Sequence, residues 1–233
     1  MAAPVLVPEP APTLLPPERL AGAPREGIRP PKFADKFALL DFDADPMPVI
    51  AMFTPPAPQH LGRKRLDIRG DTLKTRKLRW EEMAELPVRE LSAALVCQIF
   101  NWHETVDWAG IRLSDFLDYF ELETHAEGYY AFHSEDGEFF ETLSRDEARD
   151  PRVLLAIAMN GTRLTHEYGG PMRLVVPFLQ GYKSVKWLGR IEAFRHDPAG
   201  IKRLLAQSKT GRLGQAWMDR LNIEPAAGRA GDP

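Results

Sequence analysis

Cysteine is almost absent from this sequence: Cys97 is the only one in 233 residues. A single thiol excludes an internal disulfide framework, a zinc site of four thiolates, an iron–sulfur cluster and a CxxCH heme attachment. Positive charge is not in excess either. Lys and Arg number 30 against 33 Asp and Glu, a formal net charge of -3, which removes the electrostatic case for binding nucleic acid. No apolar stretch approaches the roughly 20 residues that cross a bilayer, so the chain is not expected to span a membrane. The first 20 residues have no basic segment, no long apolar run and no twin arginine. With the lone thiol, this predicts a cytoplasmic protein. P-loop, GxGxxG and HExxH patterns are missing as well.

What is present describes an ordinary globular chain, 44% hydrophobic and 27% charged, long enough to bury a substantial core. Prolines recur every few residues from Pro4 to Pro31, a spacing that neither a helix nor a central strand tolerates. The expected organisation is an extended arm over 1–31, one main domain over 32–196 and a helical tail over 197–233. FTPPAPQH (53–60) reads as a second irregular connection.

Within the domain, RLDIRGD alternates like a strand, LRWEEMAELP reads as a short helix stopped before Pro87, and ALVCQIF reads as a buried strand. Ser114 is expected to cap a helix whose Phe116, Leu117 and Phe120 share a face. Glu135-Asp136-Gly137 between two β-rich runs predicts a hairpin. Ser144 and Glu147 stand at capping-box spacing, and Asn160-Gly161 predicts a turn. The segment from Pro171 to Phe194 reads as strand, glycine turn, strand. Ile201, Leu204, Leu205, Leu213, Trp217 and Leu221 then follow helix spacing. Strands separated by short helices predict an α+β fold with mixed β-sheets.

Three places could carry chemistry. Cys97 is open to three readings: a small buried hydrophobe, a nucleophile, or a soft ligand to a metal that brings its remaining ligands with it. His103 is its nearest histidine in sequence. The run HEYGGPMRLVVPFLQGYKSVKW couples two glycine turns to Arg173, Lys183 and Lys186. These are the materials of an anion pocket suited to phosphate, and equally of a hairpin with a solvated basic edge. DWAGIRLSDFL is a loop and helix start with Trp108 as core.

Taken in order, Cys97, DWAGIRL, AFHSEDGEFFETLSRDEARDPRVLLAIAMNG and HEYGGPMRLVVPFLQGYKSVKWLGRIE resemble the sulfite oxidase superfamily of molybdopterin enzymes, over about Leu66 to Phe194. The resemblance implies a Mo-molybdopterin cofactor, with Cys97 as the protein's thiolate ligand to the metal. It also implies cofactor contacts at Ser134, Tyr168 (a position where a similar family member has asparagine), Arg173, Ser184, Val185 and Lys186. Sulfite oxidases proper carry an arginine soon after the ligand cysteine; here the run is CQIFNWHE, so oxidation of sulfite itself is not expected. Trp102 and His103 are expected to line the approach to the metal, with His103 as a proton donor. The function implied is two-electron, oxygen-atom-transfer-type chemistry on a small-molecule substrate. An external electron carrier, such as a membrane cytochrome, would be required. The alternatives are a non-catalytic molybdopterin-binding or interaction subunit, and a cofactor-free thiol enzyme.

Overall fold

The computed structural model describes residues 55–71, 74–97, 102–201 and 210–226, with Trp102 defined by its strand position alone. The expected arm over 1–31 and the helical spacing at Leu204 and Leu205 lie outside these residues.

Ten strands are formed among the described residues: β1 (Arg65–Gly70), β2 (Arg76–Arg79), β3 (Val88–Cys97), β4 (Trp102–Arg112), β5 (Tyr129–Ser134), β6 (Phe140–Ser144), β7 (Leu154–Met159), β8 (Thr162–Arg163), β9 (Arg173–Val175) and β10 (Leu188–Phe194). They make two sheets. The first runs β2-β1-β10-β5-β6, and the second runs β3-β4-β7-β8 with β9 also on β7. Only short helices interrupt them: α1 (Trp80–Met83), α2 (Leu113–Tyr119), α3 (Arg145–Arg149) and α4 (Gln215–Leu221). No described helix is long and apolar enough to cross a membrane. The expected α+β fold is the one observed.

Strand alternation explains the layering. Leu66, Ile68, Leu78, Phe132 and Ile191 point from the first sheet into one core, where they meet Ile111, Leu155, Ile157 and Leu174 from the second. Their neighbours Arg65, Asp67, Lys77, His133 and Arg190 therefore face the other side of the first sheet. The far side of the second sheet carries a smaller cluster of Val106, Trp108, Leu154, Ala156 and Val175, with Cys97 and Tyr168 packed against it. Truncating a fully buried side chain between the sheets, such as Leu155, costs about 2–5 kcal/mol.

Local signals hold where local chemistry decides. The turn at Gly137 (φ 75°) closes the β5–β6 hairpin, with Asp136 Oδ1 accepting from the N–H groups of Glu138 and Phe139 at 2.8 and 3.2 Å. Ser144 and Glu147 form the capping box of α3, and Asn160-Gly161 turns β7 into β8. Two expectations fail. Ser114 is not a cap: α2 begins at Leu113, directly off the end of β4, and its first N–H is satisfied by Val153 O at 2.9 Å. The two strands flanking Gly181 do not form a hairpin. β9 pairs with β7 in one sheet and β10 with β1 and β5 in the other, so this segment carries the chain between layers.

Residues 210–226 pack on this framework. Gln180 donates its backbone N–H to Gly211 O at 2.7 Å, Arg152 donates to Glu224 O at 2.6 Å, and Ile223 and Ala226 pack against the main core.

Candidate active site

Cys97 ends β3, opposite Trp102 on β4. It is half-buried on the far side of the second sheet, in line with Leu91, Ala93 and Leu95. Trp108 lies on the same side, fully buried, and its indole N–H has no hydrogen-bond partner among the described residues.

Arg173 approaches this cluster from β9. Its guanidinium carbon sits 5.2 Å from the centre of the Trp108 ring. Nη1 donates to Tyr168 O and Nη2 to Ser184 O, each at 2.9 Å, and Nε donates weakly to Leu174 O at 3.4 Å. Of its five N–H groups, two are left over. Burial is complete enough to pull its pKa from 12.5 down to about 10, with no acidic group opposing that shift. A buried arginine that forms no salt bridge to a described carboxylate is electrostatically costly unless an anion joins it.

The glycine turns hold the frame around Arg173. Gly169 has φ 95°, and a Cβ there would fall 2.8 Å from the Lys186 side chain, so only glycine fits. The Gly169 carbonyl accepts from Trp187 N at 3.1 Å, and Trp187 Nε1 donates to His166 O at 2.7 Å. Lys186 Nζ donates to Glu167 O at 2.8 Å. Ser184 Oγ accepts from Val176 N at 3.0 Å, and Val185 O accepts from Leu174 N at 2.9 Å while its side chain joins the core. Gly181 presses on β3: a Cβ there would lie 3.0 Å from Val96 O, one residue before Cys97.

The structure thus gathers Tyr168, Arg173, Ser184, Val185 and Lys186 into one bonded unit and brings Cys97 and Tyr168 to the same apolar cluster. Ser134 reaches the unit from the other sheet, through its pairing with Leu188 and the bond from Glu135 N to Trp187 O at 2.8 Å. Its hydroxyl is buried without a partner among the described residues. Lys183 belongs elsewhere. It is buried, 2.9 Å from Glu141 and 3.0 Å from Thr142 O, and braces the turn against β6 instead of facing an anion.

His103 is not brought to the thiol. It pairs with Val96, so alternation turns it to the opposite face from Cys97. There its ring meets Trp217 of α4 edge-on at 5.5 Å, and burial, then Arg220, lower its pKa. Sequence reading placed it by proximity along the chain, which a strand's period of two defeats. Reading Trp108 as core was right for its ring, but its unsatisfied N–H, beside an arginine 65 positions later, is visible only in three dimensions.

The family model for the oxidoreductase molybdopterin binding domain matches residues 54–202. Among curated proteins, the chain is 30% identical over 162 residues to the protein-methionine-sulfoxide reductase catalytic subunit of Gluconobacter oxydans, covering 63% of this chain and 52% of that protein. It is 28% identical over 162 residues to the corresponding subunit of Campylobacter jejuni, covering 63% and 54%. The chain therefore spans about half the length of these relatives. Among solved structures, the sulfane dehydrogenase SoxCD of Paracoccus pantotrophus superposes with a TM-score of 0.56 at 22% identity, over 62% of this chain and 41% of that one; this is a likeness of fold.

The cytoplasmic expectation is corrected by these relatives, because the methionine-sulfoxide reductase subunits are periplasmic enzymes. A lone thiol is no guide to compartment, since a protein that cannot form an internal disulfide tolerates oxidising surroundings as well as reducing ones. With its family model matched across 54–202, well over half of its length, the chain belongs to the oxidoreductase molybdopterin binding domain family, and the cofactor this family implies is Mo-molybdopterin.

Proposed function

We propose that this protein catalyses two-electron, oxygen-atom-transfer-type reduction of a small sulfoxide-class substrate, with Cys97 as the thiolate ligand to molybdenum and an external protein carrier supplying electrons. The observation that carries the reading is the shared placement of the chain's only thiol and its buried, acid-free arginine around one apolar cluster. The residues fit the cofactor. Arg173 has two N–H groups left for an oxyanion, the Trp108 N–H and the Ser134 hydroxyl are buried without partners, and Lys186 is fastened beside the same turn. When bound, Mo-molybdopterin supplies the two-electron redox couple.

The chain's own residues do the rest. Cys97 offers one soft ligand, which suffices where the cofactor brings the others. Arg173 and the Ser184–Lys186 segment would hold the cofactor's anionic end. The apolar cluster of Val106, Trp108 and Leu154, against which Cys97 packs, would shield one side of that ligand from water. The sulfoxide class is supported by the relatives' names, and the missing arginine after Cys97 in CQIFNWHE argues against sulfite. The carrier reading is supported by the lack of heme-attachment and iron–sulfur cysteines in these 233 residues.

The test is elemental analysis and dye-linked reduction of sulfoxides by wild type and Cys97→Ala, made in a host that produces molybdopterin. One Mo per wild-type chain with sulfoxide turnover, and altered Mo spectroscopy with lost turnover in the variant, is the expected result. Full turnover by Cys97→Ala would overturn the assignment.

A further inference from the structure

The outward face of the first sheet carries a cleft that the proposed active site does not use. Cross-strand register aligns Lys77, Asp67, Arg190 and His133 in one row. All four point away from the core, because Leu66, Ile68, Leu78, Ile191 and Phe132 point into it. Residues Pro58–His60 and the turn Glu135–Gly137 wall this row into a cavity of about 540 Å³ that also receives Arg63, Arg65 and Ser134.

Its charge is one-sided once the acids are paired off. Asp67 is held by Lys77 and Arg69, each at 3.2 Å. Glu135 is held by buried Lys64 and by Gln59 Nε2, the latter at 2.7 Å. Glu192, on the same outward face, lies 3.5 Å from Arg190. Arg63 and Arg65 form no ion pair with a described acid, and Arg65 uses one N–H on Lys64 O at 3.0 Å.

The lining also holds unused donors. Arg190 Nη2 lies 3.0 Å from His133 Nδ1. Guanidinium can only donate, so Nδ1 accepts and the imidazole proton sits on Nε2. That Nε2 is buried without a hydrogen bond among the described residues, although Glu192 stands 3.3 Å away. Among the described residues Arg190 Nε is likewise buried without a hydrogen bond, its nearest acid being Glu192 at 3.5 Å. His133 is 8% exposed and Ser134 4%. Burial, then Arg190 and Arg69, push His133 down to about 4, so the imidazole stays neutral near neutral pH.

From these groups we infer that the cleft is a second binding site, for a phosphate-bearing small molecule, separate from the thiolate site. Arg65 and Arg63 supply the charge that matches a phosphate, and Arg190, whose contact with Glu192 is long at 3.5 Å, and the His133 imidazole supply further N–H donors along the same row. A volume of about 540 Å³ exceeds what an inorganic ion fills and lies within the range of small-molecule sites. The separation is geometric: the cleft lies on the outer face of the first sheet and Cys97 on the outer face of the second, with the main core between them.

The test is titration of molybdopterin-loaded protein with inorganic phosphate and with pyrophosphate, read by calorimetry and phosphorus NMR, with Mo content measured on every sample. Saturable binding at one site per chain is expected, weakened about tenfold by Arg190→Gln and by Arg65→Gln at unchanged Mo content. Cys97→Ala should bind phosphate like wild type, which separates this inference from the Mo–thiolate reading. Arg65 is exposed, so Arg65→Gln decides the matter if Arg190→Gln does not fold. No saturable binding to the loaded wild type, or equal binding by Arg65→Gln, overturns the proposal. So does binding only in protein from a molybdopterin-deficient host, or Mo loss in either arginine variant, since the cleft would then be the cofactor's own seat.

Discussion

Replacing Arg173 with Met separates the role of its charge from the role of its packing. In the wild type the guanidinium satisfies Tyr168 O and Ser184 O and stacks on Trp108, and its remaining two N–H groups face no described acid. If those two groups hold the cofactor's anionic end, the variant loses two charge-assisted hydrogen bonds. At roughly 1.5–3 kcal/mol each, that is about 3 kcal/mol or more, a hundredfold or greater loss of cofactor affinity. The folded apoprotein should suffer much less. Two buried carbonyls lose a donor, costing about 1–3 kcal/mol each, but the burial of an unneutralised charge is relieved at the same site. Arg173→Lys keeps the charge without the fork that grips both carbonyls and an oxyanion, and should fall between. The assay is Mo per chain by elemental mass spectrometry, with thermal unfolding of apoprotein from a molybdopterin-deficient host. A folded Arg173→Met protein that retains wild-type Mo content would refute the anion role.

Three further outcomes follow from the same geometry. His133 is held at about 4 against an ordinary 6.5, so the unfolded chain binds a proton that the folded chain refuses. Stability should be full above pH 6.5 and fall as pH drops through 4, by about 3 kcal/mol; His133→Gln should flatten that part of the denaturation profile, and an unchanged profile would show that another group carries it. Gly169→Val should misplace Lys186 and strain a position at φ 95°, lowering the unfolding midpoint and Mo content together in thermal and elemental measurements. His103→Ala should leave Mo content unchanged and reduce stability by about 1 kcal/mol through the lost Trp217 contact, as measured by denaturant unfolding; loss of Mo would place His103 at the metal after all.

Much that depends on near neighbours was settled by the sequence alone. The Glu135-Asp136-Gly137 hairpin, the Ser144–Glu147 capping box and the Asn160-Gly161 turn are each decided by side chains within four residues of the backbone they bend, so they are legible in one dimension. The order of motifs from Cys97 to Glu192 identified the family and cofactor without any structure. Tertiary pairing decided everything that depends on which strand lies beside which. Alternation says that Arg65, His133 and Arg190 share a face of their own strands, but only the parallel β1–β10 and antiparallel β10–β5 registers put them in one cleft. Lys183 reads like its basic neighbours until Glu141 is found buried against it. His103, six positions from Cys97, points away from it, whereas Arg173, seventy-six positions on, joins the cluster around it. Local propensity is set by contacts a few residues long. The site depends on hydrogen-bond ladders between distant segments, and their register is fixed by burying both inner faces at once.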